Sequence, residues 1–364
     1  PEMMELRPIV VDETNTIIGG NMRFRALQEL GKKEVPNNWI KKASELTEDQ
    51  KKRFVITDNA SFGEWEWEAI KSDWDLDFVA DWGVDIPEFE AEKVEAKEDD
   101  YEIPDEIKTD IVLGDLFEIG EHRLLCGDST DSDAVARLMD GKKADMVFTD
   151  PPYGVSYEGG HNKKKRKGIE NDNLQGQDLT DLFYESLMNA DLFSKDYSAF
   201  YIWYSTNKSV ETFASFGRLN LSVRAVIAWY KVKSGLGSFM SQYIPNFEPC
   251  IYAFKNGKSP QWFGASDEKS VWELKKDSRN EYHPTQKPIE LPSRAIENSS
   301  KLKDIIYDCF LGSGSTMVAS HQLKRKCYGM ELDPKYCQVI LNRILKLDPD
   351  LVVLKNGKPY SVIP

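Results

Sequence analysis

No stretch of this 364-residue chain approaches the roughly 20 consecutive apolar residues that a membrane-crossing helix requires, so no membrane partner is expected. The first residues, Pro1-Glu2-Met3-Met4, show no basic segment leading into an apolar core, and a secretory leader is not expected there. Cysteine is scarce. The five residues Cys126, Cys250, Cys309, Cys327 and Cys337 are odd in number and form no CxxC pair. That spacing offers neither a zinc site nor a dithiol redox couple, so reduced cytoplasmic thiols and no metal are expected. An excess of positive charge is missing too: 47 Lys+Arg face 61 Asp+Glu, for a net charge of -14. Taken over the whole chain, that balance argues against a polyanionic partner.

Divided along the chain, the charge says the opposite. Residues 1–110 hold 14 Lys+Arg against 29 Asp+Glu, which leaves 33 against 32 for residues 111–364. The acidity belongs to the front third. In the remainder Lys163, Lys164, Lys165, Arg166 and Lys167 put five positive charges in five consecutive residues. Such a cluster suits phosphate, although a solvated surface loop has the same composition.

Length and pattern predict two units. Residues 8–36 run through Ile9-Val10-Val11, a turn over 12–15, Ile17-Ile18 and a Gly19-Gly20 break into a helical stretch. Trp67, Ile70, Trp74 and Phe78 recur at helical spacing, which predicts a buried face. Residues 88–110 are dominated by Glu, Asp and Lys and read as an acidic surface linker. Beyond it short apolar runs at 123–126, 146–149, 199–204, 225–230, 250–254, 305–309 and 326–330 alternate with helical patterns. That alternation predicts an α/β fold with a mainly parallel sheet, whose ligands bind beyond the carboxyl ends of the strands.

Three motifs stand at such ends. Asp150-Pro151-Pro152-Tyr153 follows the run at 146–149. Two prolines fix two φ angles and remove two donors, giving a stiff extended loop. It can aim the Asp150 carboxylate and the Pro151 carbonyl at one amine, with Tyr153 beside them for stacking. An exocyclic base amine fits, because its lone pair is delocalised and two acceptors return density to nitrogen. An ordinary Asp-Pro turn would look the same locally. The segment Asp308-Cys309-Phe310-Leu311-Gly312-Ser313-Gly314-Ser315-Thr316 leads from a strand into a helix, where glycine admits a ligand to backbone N–H groups. Glu331 ends the next strand, where a ribose diol needs an acceptor, and Asp128 ends an earlier one, where it could accept from a cofactor's adenine amine. Either acid alone also suits a helix cap.

Together these motifs resemble the amino-methyltransferases of DNA, and their order, Asp-Pro-Pro-Tyr before Phe-x-Gly-x-Gly, is that of the β group. The resemblance covers about residues 111–345, within a catalytic domain expected over 111–348. It implies a Rossmann-like mixed sheet flanked by helices, S-adenosylmethionine as cofactor and double-stranded DNA as partner; it allows a homodimer without specifying one. Cofactor-binding residues would be Asp128, Asp308, Phe310, Gly312, Gly314, Ser315, Thr316 and Glu331. In His283-Pro284-Thr285-Gln286-Lys287-Pro288, Thr285 and Lys287 would hold the methionine part. Residues 243–252, with Asn246-Phe247-Glu248-Pro249, resemble the wall of the target-base pocket, in which Phe247 and Tyr153 would stack on the base. Residues 255–282 would be a short target-recognition insert and 349–364 a C-terminal tail. Residues 1–87 resemble a partial ParB-like α+β module, phage-type, on the signature Gly19-Gly20-Asn21-Met22-Arg23-Phe24-Arg25-Ala26, which departs from the usual pattern at Asn21 and Met22.

Asp rather than Ser ahead of Pro-Pro-Tyr tilts the family resemblance to adenine N6, with cytosine N4 as the alternative and a non-catalytic DNA- or CTP-binding accessory protein as the remote one. Cytosine C5 chemistry needs an activated thiolate, and no Pro-Cys element occurs at a comparable position. A target amine inside a duplex would have to be extruded before it could react.

Overall fold

The computed structural model describes residues 8–44, 46–47, 50–51, 54, 95–99, 101–104, 106–152, 174–231, 243, 246–274 and 287–363. The chain divides into two compact units, Pro1–Lys93 and Val94–Pro364. The helical face expected around Trp67 to Phe78 lies outside the described residues, as do Tyr153, the basic cluster 163–167 and Thr285.

In the first unit strands β1 (Ile9–Val11), β2 (Ile17–Gly19) and β3 (Ile40–Lys42) form a sheet in the order β2-β1-β3. The β1–β2 turn is closed by Asp12, whose Oδ1 accepts from the Thr14 and Thr16 N–H groups, both at 2.8 Å. Gly20, at φ 88°, turns the chain out of β2 into helix α1 (Asn21–Glu29). Leu27 of α1 packs on Ile9 and Val11, with Phe24, Trp39 and Ile40 around them.

Among the described residues, the second unit is built on an 11-stranded sheet. Its parallel centre comprises β5 (His122–Cys126), β6 (Ala144–Thr149), β7 (Ser194–Trp203), β11 (Ile305–Asp308) and β12 (Lys326–Glu331), in the order β7-β6-β11-β12-β5. All six residues of β6 are buried, and they alternate between two cores: Val147 faces one, Met146 and Phe148 the other. The first core receives α2 (Ser132–Met139), α3 (Gly176–Leu192) and α4 (Ser209–Phe216). The opposite face is covered by α5 (Glu290–Ser299), α6 (Ser315–Gln322) and α7 (Pro334–Leu347).

Register positions the site. Ile306 pairs with Met146 and Tyr307 with Val147, so β6 and β11 end side by side. From β6 the chain leaves over one face to β7; from β11 it leaves over the other to β12. That divergence at the carboxyl ends marks the usual binding place in an open α/β sheet. The fold is the Rossmann-like α/β sheet that the motifs imply.

The runs at 225–230 and 250–254 supply the antiparallel part of the mixed sheet: β8 (Leu221–Lys231) and β9 (Phe247–Lys255) are mutually antiparallel, and β9 is antiparallel to β7. A buried apolar run carries no mark of its direction. Within residues 255–274, β10 (Val271–Leu274) adds to the sheet beside β8 and buries Trp272 at 1% exposure. The tail at 349–364 is likewise part of the sheet. β13 (Val353–Lys355) pairs with β4 (Leu116–Ile119) and turns into β14 (Lys358–Pro359) through Asn356-Gly357, with φ of 53° and 75°. Asn-Gly with both residues left-handed is the signal of a tight hairpin, and it was present in the sequence. Finally, the acidic linker stops being a solvated linker at residue 95: Ala96 packs on the core, and Asp99, 9% exposed, is paired with Arg343. Its composition could not reveal a buried cation some 240 residues away.

Candidate active site

At the end of β6 Asp150 is half-buried and Pro151 buried. The Asp150 carboxylate lies 2.7 Å from the Lys287 ammonium, which is 3.0 Å from Glu248 at the start of β9. Glu248 also pairs with Lys231 of β8. Lys287, 10% exposed, sits 5.1 Å from the ring centre of Trp203, the last residue of β7. Burial alone would raise the Glu248 carboxyl, but the Lys287 and Lys231 ammoniums overcome it and hold Glu248 down to about 2. Four sheet strands and the segment before α5 thus converge on one charged cluster beside the proline loop. Lys287, which the resemblance assigns to a cofactor's methionine part, pairs here with Asp150 and Glu248. Glu248 was part of the quoted base-wall motif but carried no role, because nothing local shows which cation it faces. Phe247, the base-wall candidate, is 43% exposed at the same edge.

The next strand end carries the glycine loop. Asp308 is 2% exposed and fully engaged: Oδ1 accepts from the Phe310 N–H at 3.0 Å and Oδ2 from the Thr316 hydroxyl at 2.7 Å. Burial pushes its carboxyl up to about 6 against those bonds. Asp308 and Thr316 therefore shape the loop from beneath. Gly312 and Gly314 take φ of 54° and 87°, where a side chain would be strained. A Cβ at Gly314 would come within 3.1 Å of Ile340, while one at Gly312 would meet nothing within 4 Å. Gly314 is thus required by the α6–α7 packing, and Gly312 leaves an open approach to the loop backbone.

Glu331, at the end of β12, accepts from the Gly312 N–H at 2.8 Å and the Asp333 N–H at 2.9 Å. It ties loop to strand rather than capping α7, which is capped by Asp333. Burial raises its carboxyl to about 8 in spite of both bonds. Asp128 is exposed beside it, its Oδ1 closing a turn on Thr130, and Asp131 rather than Asp128 caps α2. Asp150, the Phe310 to Thr316 loop, Glu331 and Asp128 accordingly line one edge in strand order β6-β11-β12-β5. One link between the two halves was not foreseen: the Ser315 hydroxyl donates to the Lys287 carbonyl at 3.0 Å.

The sequence profile of the N6/N4 DNA methylases matches residues 144–342, more than half of the chain. The chain belongs to this DNA methylase family. The methylase is 28% identical over 232 residues to the type II methyltransferase M2.MboI of Moraxella bovis, covering 58% of this chain and 83% of that protein. It is 25% identical over 221 residues to M2.LlaDCHI of Lactococcus lactis subsp. cremoris, covering 56% and 82%. Among solved structures, the cytosine-N4-specific PvuII DNA methyltransferase is similar at 18% identity, over 62% of this chain and 86% of that one, with a TM-score of 0.49. The methylase uses S-adenosylmethionine, the methyl donor of its family, and DNA is its substrate. Among the described residues no helix is long and apolar enough to cross a membrane. All five cysteines are free and buried, and burial pushes the Cys309 thiol up to about 12, the reverse of what a thiolate nucleophile needs.

Proposed function

We propose that this methylase transfers a methyl group to the exocyclic N6 of an adenine extruded from duplex DNA. The observation that carries the reading is the placement of Asp150. Its carboxylate heads a rigid Pro-Pro loop, and Lys287 braces it on the side of Glu248. A carboxylate so held can accept from the amine as positive charge develops on nitrogen, with the Pro151 carbonyl as second acceptor. Phe247 and Tyr153 are the residues proposed to stack on the base, which offsets the few kcal/mol that extrusion costs. The five-residue basic cluster 163–167 is proposed to meet DNA phosphates, and the front unit to help position the duplex.

The residues at these strand ends fit the cofactor. The open backbone at Gly312 admits a ligand closely, and Ser315 and Thr316 begin α6, whose N-terminus favours a carboxylate. Glu331 and Asp128 are the proposed acceptors for ribose hydroxyls and adenine amine. When bound, S-adenosylmethionine supplies an electrophilic methyl on sulfur, so no covalent enzyme intermediate is needed.

Nucleosides from DNA treated with the enzyme and tritiated cofactor, separated by mass, test the reading: N6-methyladenine is the expected product. N4-methylcytosine would keep the family and overturn the base assignment. The raised Glu331 carboxyl gives a second expectation. Burial holds its carboxyl up at about 8, which favours the neutral form below that pH, and the ionised form is the stronger acceptor for two hydroxyls. Cofactor affinity should therefore rise by up to about tenfold per pH unit between about pH 6 and 8, then level off. Glu331→Gln should flatten that profile in calorimetry. A wild-type affinity independent of pH would dismiss Glu331 as the ribose acceptor.

A further inference from the structure

We propose that residues 95–99 form a strap whose Asp99, acting through Arg343, is a positioning residue for the cofactor loop; this rests on the reading that residues 308–316 hold the cofactor. Three consecutive strap residues each bond a different helix. Lys97 exchanges backbone bonds with the Gln322 side chain at the end of α6, at 2.7 and 3.1 Å. Glu98 accepts from the Ile289 N–H, two residues after Lys287 and just ahead of α5. Asp99 takes the α7 residue Arg343 side-on, with Oδ2 at 2.6 Å from Nε and Oδ1 at 2.8 Å from Nη2.

The consequence lies in the shape of guanidinium. Its donors form a rigid planar fork, so a carboxylate holding Nε and Nη2 also sets the direction of Nη1. Here Nη1 points into the loop, 2.9 Å from the Ser313 carbonyl and 3.3 Å from the Ser315 hydroxyl. Ser313 stands between two left-handed glycines, the part of the chain with the least conformational restraint of its own. Ser315 passes the constraint on, since its hydroxyl donates to the Lys287 carbonyl and Lys287 holds Asp150. Asp99 therefore acts on the cofactor loop, while Lys287 on the far side of that link keeps its own ion pairs with Asp150 and Glu248.

A role in packing alone would look different. Arg343 is 1% exposed and Asp99 9%, and a buried ion pair of that kind is often no more stable than apolar residues of the same volume. What the pair adds is direction.

The test uses the full chain, S-adenosylmethionine as the calorimetric probe, and thermal melting. Arg343→Lys keeps a charge for Asp99 but cannot reach Asp99 and Ser313 in the same fork. The double variant D99L/R343M keeps the volume and removes both charges. Each is expected to melt near wild type and to bind the cofactor about tenfold or more weakly, as loss of one or two oriented hydrogen bonds implies. Turnover at saturating cofactor should change by less than about threefold, a split between KM and kcat that a general loosening would not give. Wild-type affinity in folded Arg343→Lys overturns the proposal, and this single variant decides the matter if the double one does not fold. Gly312→Leu, which fills the open approach to the loop, separates the two readings. Weak binding there with normal binding in the Arg343 variants defeats the strap alone. Normal binding in Gly312→Leu defeats the loop assignment, and the strap's role with it.

Discussion

Asp150→Ala should lower methyl transfer by about 10³-fold or more while leaving S-adenosylmethionine affinity within about threefold of wild type. The two effects separate because the two motifs sit on different strands. Asp150 ends β6, whereas the cofactor loop ends β11 and is held by its own Asp308, Thr316 and Glu331 bonds. An interaction that strengthens only as charge develops on the amine contributes to the transition state and not to ground-state binding. Alanine removes that acceptor and leaves the proline-stiffened backbone in place. Single-turnover transfer of a tritiated methyl group gives the rate, and calorimetry the affinity. Turnover within tenfold of wild type would remove Asp150 from the chemistry. A rate loss matched by an equal loss of cofactor binding would show instead that the loop had been displaced.

Lys287→Met should be the most damaging substitution outside the motif itself. The lysine is 10% exposed and lies between two carboxylates at 2.7 and 3.0 Å. Methionine has a similar volume but leaves Asp150 and Glu248 facing each other without the cation. The expected loss is about 2–3 kcal/mol of stability, below the full penalty for stranding a buried charge because Glu248 retains Lys231 and some solvent. Turnover should fall at least about 10²-fold, since the carboxylate that receives the amine is no longer braced. The pH dependence carries a sign. Glu248 is held down to about 2 in the folded protein against an ordinary value of 4.5, so its contribution is fully present above about pH 4.5 and lost as pH falls through about 2. The stability gap between wild type and variant should therefore be widest near neutrality and close toward pH 2. Denaturant titrations at pH 7 and at the acid end measure it. A gap that stays constant with pH would mean that the lysine acts by packing.

Much of this was legible from residues alone, for an identifiable reason. The strands at 123–126, 146–149, 305–309 and 326–330 are short, buried and bounded by polar motifs, so each announces both itself and the place where its carboxyl end emerges. Proline pairs and glycine loops encode their backbone geometry locally, which is why Asp150-Pro151-Pro152 and Gly312-Ser313-Gly314 could be placed before any coordinates. The Asn356-Gly357 hairpin is equally legible, since Asn-Gly is the local signal of a tight turn.

Other features were not local. The antiparallel course of β8 and β9, the edge strand holding Trp272 and the buried station of Asp99 depend on neighbours distant in sequence, and an acidic stretch carries the same composition whether it is solvated or docked. The sequence by itself determined which residues stand at the strand ends and what chemistry they offer, because proline, glycine and strand-end carboxylates act through local backbone geometry. Only the tertiary structure decided that Lys287 joins Asp150 to Glu248, and that Arg343 joins the strap to the glycine loop. Those pairings are set by sheet order and helix packing, which bring residues tens to hundreds of positions apart to within 3 Å of one another.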